Sequence, residues 1–112
     1  SSAASDVYKR QISGSGPAYI FNFAETVIAI GKELGLSEQI SKKIVLQTIV
    51  GAGLLANNSD KSPSKLRENV TSPNGTTEAA LNILMDEKNG WHGIIKNAVF
   101  AAHKRSKILA KN

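Results

Sequence analysis

The sequence predicts an all-α domain of about five helices, and three observations carry that reading. Apolar residues recur at spacings of three and four, no stretch alternates with period two, and residues that start and stop helices stand at the ends of the periodic stretches. The 112 residues fit a single domain, and 41% hydrophobic with 21% charged residues is an ordinary globular composition, which excludes disordered and collagen-like chains.

Pro17 suits a first helical turn, and Ile20, Phe23, Ala24, Val27, Ile28, Gly31 and Leu34 follow on one face up to Gly35, a C′ glycine. Tyr19, Phe21, Ala29 and Ile30 make other faces apolar, so this first helix demands burial on more than one side. The glycines ahead of it, Gly14 and Gly16, read as a flexible approach. Ser37 is a good N-cap, with Glu38 in the first turn, for a second helix reaching about Ala56. Its charges lie in the first half, and from Ile44 on it is apolar nearly all round. Residues 57–60 form a turn, and Ser62 before Pro63 caps a short third helix ending near Asn69. Residues 71–75 are a loop, a fourth helix runs from about Thr76 to Glu87, and Asn89 with Gly90 breaks it. The last helix carries Trp91, Ile94, Ile95, Ala98, Ala102 and Leu109 along one stripe.

Several function classes fall away. Without cysteine there is no disulfide, thiolate nucleophile or Cys-containing zinc site. The longest uncharged stretch, Ile44 to Ser59, has 16 residues, whereas a membrane span needs about 20 apolar ones, so no membrane partner is expected. The N-terminus lacks the basic-then-apolar order of a signal peptide, and the expected location is cytoplasmic. A net charge of +5 invites a nucleic-acid reading. Residues 1–95 nevertheless hold nine basic and nine acidic residues, and the excess is confined to Lys96, Lys104, Arg105, Lys107 and Lys111. Cations in the last turns of a helix complement its dipole, so no nucleic-acid partner is expected.

Two strings are decoys. Gly51-Ala52-Gly53-Leu54-Leu55-Ala56 satisfies the dinucleotide fingerprint, but no second strand and no acid at the required distance follow, and small residues that let another helix approach explain it better. His92 and His103 stand 11 residues apart, about 16 Å along a helix, too far to share a metal ion, and no metal site is expected.

Residues 69–78, Asn-Val-Thr-Ser-Pro-Asn-Gly-Thr-Thr-Glu, are not explained by packing alone. An Asn-Gly turn leading into a helix places the N–H groups of Gly75, Thr76 and Thr77 at the positive helix end, beside the hydroxyls of Ser72, Thr76 and Thr77. Two readings stand. One is an anion cradle; the other is a capped helix in which those hydroxyls satisfy the N–H groups and Glu78 favours the first turn.

Ser13-Gly14-Ser15-Gly16-Pro17-Ala18-Tyr19, Lys32-Glu33-Leu34-Gly35-Leu36, Gln47-Thr48 before Gly51-Ala52, and Asn69 through Thr77 with Ala80-Leu81 closely resemble the C-terminal domain of pyrroline-5-carboxylate reductases. Ala101-Ala102-His103-Lys104-Arg105-Ser106 is similar to that family's last helix, so the resemblance covers about residues 12–109. It implies an oxidoreductase of proline biosynthesis, which passes a hydride from NADPH or NADH to the imino acid 1-pyrroline-5-carboxylate and gives L-proline. It also implies an N-terminal Rossmann domain, absent here, and a helical domain that intertwines with its twin as a homodimer or higher oligomer. Two helices apolar on most faces agree with that, being hard to bury in a lone chain of this size.

Residue by residue, the resemblance implies that the N–H groups of Gly75, Thr76 and Thr77 bind the substrate carboxylate. The Thr77 hydroxyl is the catalytic group, orienting the imine or relaying the proton that the ring nitrogen gains. Ser72 lines the same pocket, and Asn69 faces the nicotinamide as the cofactor-binding residue. The cofactor belongs mainly to the missing domain, so none is expected in this chain, which alone is expected to be inactive. Where the family has a glycine pair this chain has Asn74-Gly75, and Asn tolerates a left-handed conformation better than most residues. Residues 1–11 do not resemble the family and read as a tag, a remnant or a truncated linker, leaving 12–112 as the helical domain. The alternative is a non-catalytic dimerisation module of the same ancestry, although such a module has no use for three hydroxyls at a helix start.

Overall fold

A computed structural model describes residues 2–111, with side chains over 5–111. It has five α-helices: α1 (Ser2–Glu33), α2 (Glu38–Asn58), α3 (Pro63–Asn69), α4 (Thr76–Leu84) and α5 (Trp91–Ala110). Among the described residues there is no strand. The chain divides into two units, Pro17–Asn69 and the remainder, Ser1–Gly16 with Val70–Asn112.

In the unit Pro17–Asn69 the expected caps are in place. Gly35 has φ +103° and closes α1: its N–H donates to the Lys32 carbonyl and that of Leu36 to the Gly31 carbonyl, both at 3.0 Å, the paired bonds of a Schellman motif. The Ser37 hydroxyl accepts from Ile40 N–H at 3.2 Å and starts α2, and the Ser62 hydroxyl accepts from Lys65 N–H at 3.1 Å and starts α3. α2 extends two residues past Ala56, to Asn58.

The packing of α1 on α2 turns on one point. Ser41 is 1% exposed, and its hydroxyl donates to the Ile28 carbonyl at 2.8 Å. A Cβ on Gly31 would collide with that Ser41 Oγ, so the absent side chain is what admits the crossing. Ala24 and Val45 are the buried apolar residues beside it. Much of the apolar surface of these helices stays uncovered: Phe21 is 70% exposed, and Leu54 and Leu55 are each 57% exposed. Among the described residues a Cβ at Gly51 or Gly53 would meet nothing within 4 Å.

The structure departs from expectation at the start of α1. Rather than beginning at Pro17 after a flexible approach, the helix runs from Ser2 through Gly14, Gly16 and Pro17. An internal proline removes one backbone donor and restricts the residue before it, and here that residue is glycine, which has no Cβ to oppose the helical conformation. The boundary between the two units falls at this Gly16–Pro17 step.

In the other unit, Tyr8 of α1 packs on α5, its ring centroid 4.7 Å from that of His103 and 6.3 Å from that of Phe100. His103 is half-buried, and its Nδ1 is buried without a hydrogen-bond partner among the described residues. α4 stops at Leu84, short of the expected Glu87, because Asp86 competes for the backbone. Its Oδ2 accepts from the N–H groups of Lys88 (3.1 Å) and Asn89 (2.8 Å), and its carbonyl accepts from Gly90 N–H (2.9 Å). A Cβ on buried Gly90 would collide with the backbone of Leu84 and Asp86. Gly90 is the N-cap of α5, which holds Lys96, Lys104, Arg105 and Lys107, with Lys111 as its C-cap.

Gly31→Ala is expected to destabilise the fold by about 1–3 kcal/mol through overpacking against Ser41. In a Ser41→Ala background its cost should shrink, since the colliding hydroxyl is gone; urea unfolding of the two single variants and the double variant checks this non-additivity.

Candidate functional site

The loop before α4 is built on a turn of four residues. Pro73 has its φ fixed by the ring and Asn74 has φ +61°, while Gly75 N–H donates to the Ser72 carbonyl at 3.0 Å. Proline at the second position and a positive φ at the third make a type II turn. Asn74 thus occupies the left-handed position, as its short polar side chain allows. Gly75 follows as the N-cap of α4 with φ −89° and ψ −178°, extended backbone, and a Cβ there would stand 3.1 Å from the Ser72 carbonyl oxygen.

This geometry separates the two readings of the loop. α4 has no side-chain cap at its N-cap position, and among the described residues no side chain accepts from the N–H of Thr76 or Thr77. The hydroxyls of Ser72, Thr76 and Thr77 therefore do not cap the helix. Of the three N–H groups expected to form a cradle, that of Gly75 is engaged by Ser72, and those of Thr76 and Thr77 remain open. The first helical bond in this turn is from Ala79 N–H to the Gly75 carbonyl, at 3.2 Å. Ser72, Thr76 and Thr77 are all exposed. With the positive end of the helix dipole behind them, two open donors and three hydroxyls can hold an anion.

One contact was not legible in the sequence: the Glu78 carboxylate turns back and its Oε1 accepts from Asn74 N–H at 3.2 Å. It resembles the reciprocal half of a capping box, shifted by one residue because the N-cap is a glycine. Asn69 ends α3 in the other unit and is exposed. Gly51 to Ala56 lie inside α2, where the backbone N–H groups serve the helix, so they do not form a phosphate loop. Among the described residues no cluster of three or more His, Cys, Asp or Glu that suits a metal ion occurs, and no helix is long and apolar enough to cross a membrane.

Three surface grooves are lined by other residues. One of about 580 Å³ runs over Glu25, Ile28, Lys32, Glu38 and Lys42, and two smaller ones follow Leu84, Trp91 and Ile94, and Trp91, Ile95 and Phe100. None of the three includes a residue from 69 to 78.

Fold and loop together define an all-α domain with much exposed apolar surface and an uncapped helix start whose Thr76 and Thr77 N–H groups are open. The family of pyrroline-5-carboxylate reductase dimerisation domains matches residues 9–109, and the chain belongs to it. It is 43% identical over 100 residues to the pyrroline-5-carboxylate reductase of Pseudomonas aeruginosa, an alignment covering 89% of this chain and 36% of that enzyme. It is also 43% identical over 99 residues to that of Pisum sativum, covering 88% of this chain and 36% of the relative. Among solved structures it is similar to the Plasmodium falciparum pyrroline carboxylate reductase with NADP bound, at a TM-score of 0.83 and 41% identity over 91% of this chain and 40% of that one. The pyrroline-5-carboxylate reductase of Coxiella burnetii gives 0.84 and 36% identity over 92% of this chain and 37% of that one. The chain thus spans little more than a third of the length of these relatives.

Because the Thr77 hydroxyl caps nothing, Thr77→Ala is expected to change unfolding free energy by less than about 0.5 kcal/mol, against about 1 kcal/mol for a lost cap. Chemical denaturation of the two forms measures the difference.

Proposed function

We propose that this chain is the dimerisation and substrate-binding domain of a pyrroline-5-carboxylate reductase, a cytoplasmic enzyme that reduces 1-pyrroline-5-carboxylate to L-proline. The observation that carries the proposal is the uncapped start of α4, where the N–H groups of Thr76 and Thr77 are open in a chain of this family. Those two donors bind the substrate carboxylate at the positive helix end. Gly75, having no side chain, lets the carboxylate approach the backbone, and the Ser72 hydroxyl lines the same side. With the carboxylate fixed, the ring nitrogen lies within reach of the Thr77 hydroxyl. That hydroxyl orients the imine and hands on the proton the nitrogen gains, which favours the iminium, the better hydride acceptor. Asn69 faces the nicotinamide.

NADPH or NADH supplies the hydride when bound. The residues of this chain do not fit the nucleotide's phosphates, since the one glycine string that resembles such a site lies inside α2. The proposal therefore places residues 12–112 after a separate nucleotide-binding domain, and the chain alone is expected to give no turnover.

The working unit is proposed to be a homodimer. Support comes from the family, which is one of dimerisation domains, from the exposed Phe21, Val50, Leu54 and Leu55, and from the open space at Gly51 and Gly53. A second copy that lays a helix along these glycines would cover that surface.

Two measurements test the reading. Light scattering at micromolar concentration is expected to give twice the chain mass, and a stable monomer would refute the dimer. In a two-domain enzyme made by joining this domain to a reductase nucleotide domain, Thr77→Ala is expected to lower kcat about 10-fold or more. A fully active variant would remove the hydroxyl from the mechanism.

A further inference from the structure

We propose that Asn74-Gly75 is a site of spontaneous deamidation, where the loop before α4 converts with age to aspartate and isoaspartate, and that the fold holds the other Asn-Gly step, Asn89-Gly90, intact. The chemistry does not depend on what the loop binds. Its consequence rests on the substrate reading: the aged loop no longer holds a carboxylate.

Asparagine is among the chemically labile residues, and a following glycine, having no Cβ, leaves its side chain open to attack by the main chain. Asn-Gly occurs in this sequence at 74–75 and at 89–90. In the reaction the Gly75 main-chain nitrogen gives its proton to solvent and attacks Cγ of Asn74. The N–Cγ bond forms, the Cγ–Nδ2 bond breaks, and Nδ2 takes up a proton and leaves as ammonia. Water then opens the five-membered imide. Cleavage of the N–Cγ bond gives aspartate; cleavage at the main-chain carbonyl carbon gives isoaspartate, whose main chain runs through the side chain and is longer by a methylene.

Both steps require the peptide between asparagine and glycine to rotate towards the asparagine side chain, and their surroundings differ in what that costs. Asn74 is exposed, and the Gly75 N–H is held by the Ser72 carbonyl at 3.0 Å within a four-residue surface turn. Glu78 holds the Asn74 N–H at 3.2 Å, a contact that rotation about the Asn74 Cα–C bond leaves in place. Surface turns of this kind open at little cost in free energy. Gly90 is buried instead, its N–H donates to the Asp86 carbonyl at 2.9 Å, and a Cβ there would collide with the backbone of Leu84 and Asp86. The Asn89 N–H is also held, by Asp86 Oδ2 at 2.8 Å. The 89–90 peptide therefore rotates when the α4–α5 junction comes apart, and the 74–75 peptide needs no such event. Once formed, aspartate adds a negative charge beside the Glu78 carboxylate, and isoaspartate lengthens the turn that Ser72 closes. Both act against an anion at Thr76 and Thr77.

The test is ageing of the 112-residue chain in mildly alkaline buffer, followed by proteolysis and mass spectrometry that separates aspartate from isoaspartate. In the folded chain Asn74 is expected to convert at least about tenfold faster than Asn89, and in concentrated urea the two rates should draw together. An Asn74 that stays intact in the folded chain would overturn the site, and an Asn89 that converts as fast would overturn the protection. In the joined two-domain enzyme, activity is expected to fall in step with conversion at position 74. Asn74→Gly removes the amide and suits the positive φ, so it should lose activity more slowly over the same period. Loss at the wild-type rate in that variant would overturn the consequence. Peptide mapping reads the site whether or not the loop binds the substrate, so the two proposals fail separately.

Discussion

A chain of 112 residues cannot cover two helices that are apolar on most of their faces, and that constraint governs the whole molecule. The close meeting of α1 and α2 at Ser41 against Gly31, with Ala24 and Val45 buried, involves a narrow part of each helix. Beyond it many apolar residues of both helices, among them Phe21, Val50, Leu54 and Leu55, stay largely exposed. Burial of apolar side chains stabilises by about 1.5–3 kcal/mol each, so a surface with this many of them is a surface that drives association. A family named for dimerisation is where such a sequence belongs.

The same constraint separates structural glycines from associative ones. Gly31 and Gly90 are required inside the chain, because a Cβ at either collides with a neighbour already present. At Gly51 and Gly53 a Cβ would meet nothing within 4 Å among the described residues, so no such collision explains them. Gly35 is explained by its left-handed φ alone. Five positions that look alike in a sequence thus fall into three different physical situations.

Helix ends governed by local chemistry were legible in the sequence. Ser37, Gly35, Ser62 with Pro63, and the start of α5 at Trp91 act through hydrogen bonds that span three to five residues, and each stands where the residue type places it. What escaped depends on competition between neighbours. Pro17 looked like a helix start, yet it lies within α1 because the preceding Gly16 removes the steric objection to helix on its N-terminal side. α4 looked three residues longer, yet the Asp86 side chain outbids the helix for the next N–H groups. At the loop, the sequence exposes the donors and hydroxyls but not their allocation. That Ser72 takes the Gly75 N–H and Glu78 takes that of Asn74 follows from a type II turn, which needed the φ of Asn74 to be known.

The choice of N-cap at α4 bears most directly on function. Serine, threonine or aspartate at position 75 would satisfy one of the orphan N–H groups and stabilise the helix by about 1 kcal/mol. Glycine forgoes that bond, and hydroxyl residues are available at 72, 76 and 77 without being used for it. Stability alone would favour the capped arrangement. An uncapped helix start, with its hydroxyls at the rim and its preceding turn pinned by Ser72 and Glu78, is instead the arrangement that keeps the first N–H groups of the helix open in a fixed place. Departures from local optimality of this kind concentrate where a ligand completes the structure, and under the proposed reading the missing acceptor is the substrate carboxylate.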